Sequence, residues 1–317
     1  MAGPSAYVPA DPALKARLMR RATYASVIVA ALLIAAKLAA WLVTGSVSLL
    51  ASLVDSLLDA LASLVNLLAV RHALTPADDE HRFGHGKAEA LAGLGQAALI
   101  AGSALFLVME SIDRLLRPQP VEQSLAGIAV MVFSIVMTAA LVLYQRHVVK
   151  QTGSLAVSAD RLHYVGDLAT NLAVIAALLL ASRGADFAWF DPVCALAIAA
   201  VILKSAVDIV RGALHHLMDR EMADADREQI LAVVRAHPET RALHDLRTRQ
   251  AGNQVFIQFH LELDPELPLR EAHRISDEIE TRLLELFPGA EVIIHQDPAG
   301  YDEPQADFVN RADGPGH

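Results

Sequence analysis

Residues 47–74, VSLLASLVDSLLDALASLVNLLAVRHAL, decide the fold. The stretch is long and apolar enough to cross a bilayer core, which takes about 20 residues of helix. Yet Ser48, Ser52, Asp55, Asp59, Ser63 and Asn66 recur through it every three or four residues, drawing one polar stripe down an otherwise apolar helix. A stripe of that kind must face protein or water. Asp55 and Asp59 are one turn apart, about 6 Å along the axis, so both carboxylates leave the same face. A carboxylate at mid-membrane costs several kcal/mol unless it is paired, so two together point to a functional site.

Five further apolar stretches surround this one, which predicts spans at 20–43, 47–74, 88–116, 121–146, 155–182 and 190–214. The whole chain agrees: 317 residues, 54% hydrophobic and only 5% aromatic, with a mean hydropathy of +0.38. That is too apolar for an ordinary soluble domain. An even number of spans returns both termini to one side. Lys15, Arg17, Arg20 and Arg21 then share that side with Arg71, Arg82, Lys87, Arg146 and Lys150, which makes it cytoplasmic. The outer connections are Thr44-Gly45-Ser46, the Arg117-Pro118-Gln119-Pro120 corner and the segment from Ser182 to Asp191. The first apolar run is too long for a signal-peptide core and reads as a retained span.

After Met218 the composition turns to mixed charge, and most of the acidic excess behind the net charge of −10 lies there. Nucleic acid is excluded as a partner by that balance. Helical periodicity at 222–237 and 268–287, with alternation at 243–250, 253–263 and 290–296, predicts an αββαβ unit with a small sheet. The expected organisation is a cytoplasmic N-terminal segment 1–19, a six-helix transmembrane domain 20–216, a cytoplasmic α+β domain 217–300 and a disordered tail 301–317. The first 13 residues, rich in Pro and Asp, are expected to be disordered too. Cys194 stands alone, which excludes an intrachain disulfide; it reads as a small buried residue.

The fifth span repeats the pattern of the second with Asp160, His163, Tyr164, Asp167, Thr170 and Asn171. His163 and Asp167 are again four apart. Brought together, the two spans would offer carboxylates from Asp55, Asp59 and Asp167 and an imidazole from His163, a tetrahedral set suited to zinc. The imidazole argues against magnesium and calcium, which prefer shells of oxygen. Carboxylates gathered in a medium of low dielectric repel one another when no metal is present, so protons and metal compete for them, and proton exchange follows. His215 and His216 close the sixth span, where they complement the helix dipole. Lys204 and Asp208, one turn apart, are expected to pair within that helix.

At these residues the chain resembles the cation diffusion facilitator family, in its bacterial zinc and ferrous-iron efflux branch, over nearly all of residues 10–300. Further matching motifs are Asp78-x-x-His81-x-x-x-His85 with Gly86-Lys87, the run His244-Asp245-Leu246-Arg247-Thr248-Arg249, and Ile293-Ile294-His295-Gln296-Asp297-Pro298. The resemblance implies a homodimer working by alternating access, with zinc and protons as the exchanged ions and a ferredoxin-like fold for the C-terminal domain. It implies a loop metal site at Asp78, His81 and His85, with Asp79 as a substitute for Asp78. It further implies a binuclear zinc site at His244, His260, His273, His295 and Asp297, either sensing metal or bracing the dimer, and an inter-protomer charge pair, Lys87 with Asp219. His163 favours zinc or cadmium over manganese, and the absence of a long His-rich loop between the fourth and fifth spans fits a bacterial plasma-membrane efflux role.

Two other functions would also use zinc in a membrane protein. An intramembrane metallohydrolase would need an open coordination position and shows no His-Glu-x-x-His motif. A zinc sensor that does not transport would leave the polar groups of the second and fifth spans without a purpose. Neither displaces efflux, and no enzyme activity is expected.

Overall fold

The computed structural model describes residues 11–117, 125–181 and 189–300. The segment before Asp11, the Pro118-Gln119-Pro120 corner, most of the connection from Ser182 and the tail from 301 lie outside the described residues, as does the side chain of Ser48.

Six long helices come first: α1 (Pro12–Thr44), α2 (Val47–Ala73), α3 (Lys87–Leu116), α4 (Leu125–Thr152), α5 (Leu155–Ala181) and α6 (Phe190–Leu217). Among the described residues, five of these are long and apolar enough to cross a membrane. The other is α5, of spanning length but carrying Asp160, Arg161 and Asp167. The helix α1 begins eight residues before the expected span. Pro12 suits the first helical position, and Lys15, Met19 and Ala22 continue the buried face that starts the apolar run. α4 likewise runs on from the expected end at 146 to Thr152.

Within the bundle α3 packs on α6, α4 on α5, and α5 on both α6 and α3. Met19, Val70, Val148 and Val157 form one buried cluster, and Val29, Leu33, Leu141 and Tyr164 another. In contrast Leu58, Leu61, Phe106, Leu143 and Val201 are each more than half exposed. So much exposed aliphatic surface suits lipid rather than water. On α2 these leucines alternate by helical turn with the buried Ser56, Ser63 and Asn66, which separates a lipid-facing side from a polar side turned into the bundle. Asp208 pairs with Arg211 at 3.8 Å rather than with Lys204, and Cys194 is half-buried rather than buried.

The chain divides into two compact units at Met218, with residues 13–218 in one and the rest in the other. The C-terminal unit holds α7 (Asp224–Arg235), β1 (Ala242–Ala251), β2 (Gln254–Leu263), α8 (Leu269–Leu286) and β3 (Glu291–Pro298). β2 is central, antiparallel to β1 and parallel to β3. The hairpin closes through Gly252, whose φ of 58° is the left-handed value glycine adopts without strain. Val255, Ile257, Phe259, Leu261 and Leu263 alternate along β2 onto the helices. Ile275, Ile279 and Leu283 of α8, and Ile230 and Val234 of α7, meet them. The even-numbered residues of β2, among them His260, therefore lie on the sheet's other face.

Candidate metal centres

The bundle brings α2 and α5 side by side at Asp59 and His163. His163 Nε2 lies 2.9 Å from Asp59 Oδ1 and 3.7 Å from Asp167 Oδ2, and one ligand atom from each of the three residues falls within a 4.8 Å spread. All three side chains are only partly exposed. Asp55, expected as a fourth member, is not in this group. It leaves α2 one turn from Asp59, and its carboxylate would have to swing to reach a shared ion.

A cation that the sequence reading passed over stands here instead. Lys37 of α1 donates from Nζ to the Ser52 carbonyl at 3.1 Å and to Ser56 Oγ at 2.6 Å, within electrostatic reach of Asp55, Asp59 and Asp167. A single Lys in a long apolar run reads as an ordinary interruption; only packing against α2 shows its neighbours.

Behind His163 lies a buried polar network. Ser26 Oγ and Gln145 Nε2 donate to Asp160 Oδ2 at 2.5 and 2.7 Å, and Ser63 Oγ lies 3.4 Å from Asp160 Oδ1. The Tyr164 hydroxyl is 2.9 Å from Ser63 Oγ and donates to the Ser26 carbonyl at 3.4 Å. Side chains from α1, α2 and α4 thus hold one carboxyl group of α5. Asp160 and Tyr164 flank His163 on α5, so the network fixes how that helix presents its imidazole.

The second group lies in the connection between α2 and α3. Asp78 Oδ1 accepts backbone N–H bonds from His81 at 2.6 Å and Glu80 at 3.0 Å, and these hold its carboxyl below the usual carboxylate range. Gly84, at φ 74°, turns the chain back so that His85 Nε2 reaches 3.4 Å from Asp78 Oδ2, while His81 Nδ1 is 3.4 Å from Asp78 Oδ1. Asp79 points to Arg82 instead and is fully exposed. Asp78, not Asp79, therefore joins His81 and His85.

The third group spans the sheet. His244 is opposite His260 across β1 and β2, and His260 is opposite His295 across β2 and β3, so three imidazoles form a row on the face away from the core. Asp297, 6% exposed, lies 2.8 Å from His260 Nδ1, 3.4 Å from His244 Nε2 and 3.1 Å from His295 Nε2. His244, His260 and Asp297 present ligand atoms within 4.8 Å of one another. A bulge after His244, with Asp245 at φ 48°, turns the Asp245 carboxylate to 3.9 Å from His260 Nε2. His273 is not gathered with them: on α8 it is 70% exposed beside Asp277. Within the chain Lys87 donates to the Leu217 carbonyl and Asp219 accepts from Arg249.

The chain that carries these three His and carboxylate clusters is similar to known proteins along most of its length. The cation efflux transmembrane domain matches residues 23–218 and the cytoplasmic domain of cation efflux proteins matches residues 222–299. The chain belongs to the cation diffusion facilitator family. The cation-efflux pump FieF of Cronobacter sakazakii is 50% identical over 282 residues, 89% of this chain and 93% of its own length. FieF of Klebsiella pneumoniae is 50% identical over 283 residues, covering 89% and 94% of the two chains. Among solved structures, the zinc form of CzrB is 36% identical, covering 27% of this chain and 98% of that one, at a TM-score of 0.26. This cation diffusion facilitator is therefore an integral membrane cation-efflux protein with a C-terminal α+β domain, and not an enzyme.

Proposed function

We propose that this cation diffusion facilitator exports zinc across a bacterial inner membrane in exchange for protons, working as a homodimer with both termini in the cytoplasm. The observation that carries the reading is the meeting of Asp59, His163 and Asp167 between two membrane helices. Carboxylate and imidazole together suit zinc, with cadmium and ferrous iron as the other loads such ligands accept. Asp55 completes the set when its carboxylate turns toward the ion. Metal enters only as protons leave the same groups, so uptake from one side and release to the other exchanges the two ions.

Asp78, His81 and His85 form a second metal site at the membrane surface. His244, His260, His273, His295 and Asp297 form a binuclear zinc site of the C-terminal domain at the dimer interface, and Lys87 and Asp219 pair between protomers. The boundaries expected at residues 19, 216 and 300 separate the N-terminal segment, the transport domain, the metal-binding domain and the tail.

Zinc uptake into sealed proteoliposomes under an imposed pH gradient, followed with an internal zinc-sensitive dye, tests the central claim. Flux that follows the gradient and disappears in folded His163→Ala and Asp59→Ala supports it. Variants that transport like the native chain would place the transport site elsewhere.

A further inference from the structure

We propose that His72 is a fourth ligand of the loop metal site, joining Asp78, His81 and His85 around one zinc ion at the end of α2. The inference rests on the reading of the loop as a metal site and adds a member to it. His72 is the penultimate residue of α2, and its ring centre lies 4.6 Å from that of His85. The same separation, 4.6 Å, holds between His81 and His85. With zinc to nitrogen bonds near 2.0–2.1 Å, two imidazoles on one tetrahedral ion have ring centres about 5 Å apart, so both separations fit a shared ion; His72 stands outside the group whose ligand atoms already lie within 4.8 Å of one another, and its ring turns to bring a nitrogen to the ion.

The His85 side chain is 4% exposed and its Nδ1 has no hydrogen-bond partner. A cation shared with Asp78 sits at His85 Nε2, the nitrogen that faces that carboxylate. His72 itself is exposed, so its ring is free to turn without disturbing the packing of α2. Three imidazoles and one carboxylate make a closed tetrahedral site for zinc or cobalt and a poor one for magnesium or calcium. A histidine serving only the dipole at the C-terminus of α2 would leave metal binding unchanged when replaced.

Cobalt titration of the purified full-length protein reads the site through the strong visible bands of tetrahedral cobalt, with Asp59→Ala introduced to silence the transport site. His72→Gln and His72→Ala are expected to remove one site's share of those bands and to weaken zinc competition at that site by about tenfold or more. His81→Ala is the positive control. On the native chain, zinc is expected to protect His72 from diethylpyrocarbonate, a reading that needs no substitution. Unchanged bands and affinity in the His72 variants, with loss in His81→Ala, would overturn the fourth ligand and leave the loop site standing. If His81→Ala also changes nothing, the loop site falls with it.

Discussion

His163 on α5 and Asp59 on α2 approach to 2.9 Å, joining the two polar stripes. An imidazole and a carboxylate at that separation are one ion away from a shared coordination sphere. Asp55, one turn away, lies outside this group of three among the described residues. Asp59→Asn is therefore expected to reduce proton-driven zinc flux to background, and Asp55→Asn to leave a measurable fraction. Flux assays on the two variants, with zinc affinity from chelator competition, check the order.

Lys37 places a positive charge beside the carboxylates that are to receive a cation. Opposing charges some 8 Å apart at an effective dielectric of 20 interact by about 2 kcal/mol. Lys37→Met is expected to bind zinc about tenfold more tightly and to turn over more slowly, because release becomes harder. Equilibrium affinity and flux, measured on the same preparation, should move in opposite directions.

Asp160 is 1% exposed and accepts from Ser26 and Gln145. Asp160→Ala strands these donors inside the bundle and should cost about 3 kcal/mol. The expected outcome is a lower unfolding midpoint in detergent together with reduced flux. A variant with native stability and native flux would show that the network does not hold α5.

Leu283 is fully buried between α8 and the sheet. Leu283→Ala should destabilise the C-terminal unit by about 3 kcal/mol through the cavity it leaves. Faster hydrogen exchange across β2, without change in the exchange of α3, is the expected signature.

Asp264 has its carboxyl held below the usual range by the Glu266 backbone N–H and by Arg241. A pKa depressed by folding adds stability above the unfolded value, about 3.9, and that stability is lost as pH falls through the folded value. Asp264→Asn should thus lower the unfolding midpoint slightly at pH 7, and the difference from the native chain should shrink toward zero as pH falls below 4. Thermal unfolding across that range reads it.

Much of this was legible in residue order alone. Long apolar windows located the helices, because a bilayer demands a minimum length whatever the packing. Period-two alternation located β2 and its neighbours within a residue or two. Helix α1 starts eight residues before the expected span: Lys15, Arg17, Arg20 and Arg21 look like a solvated approach in the sequence, whereas Lys15 is buried in the fold. The resemblance groups His273 with the sheet histidines at a dimer interface, and within one chain it sits on the exposed face of α8.

The spacing of Asp55 and Asp59, and of His163 and Asp167, determined by itself that each pair shares one helix face, since 3.6 residues per turn leaves no alternative. Which member of one pair meets which member of the other was decided only by the fold. The height of α2 against α5, and the passage of α1 that sets Lys37 over Ser56, depend on side-chain packing between segments distant in the chain. Register across β1, β2 and β3 is of the same kind: it aligns His244, His260 and His295 in one row, and interstrand hydrogen bonds, not local spacing, set it.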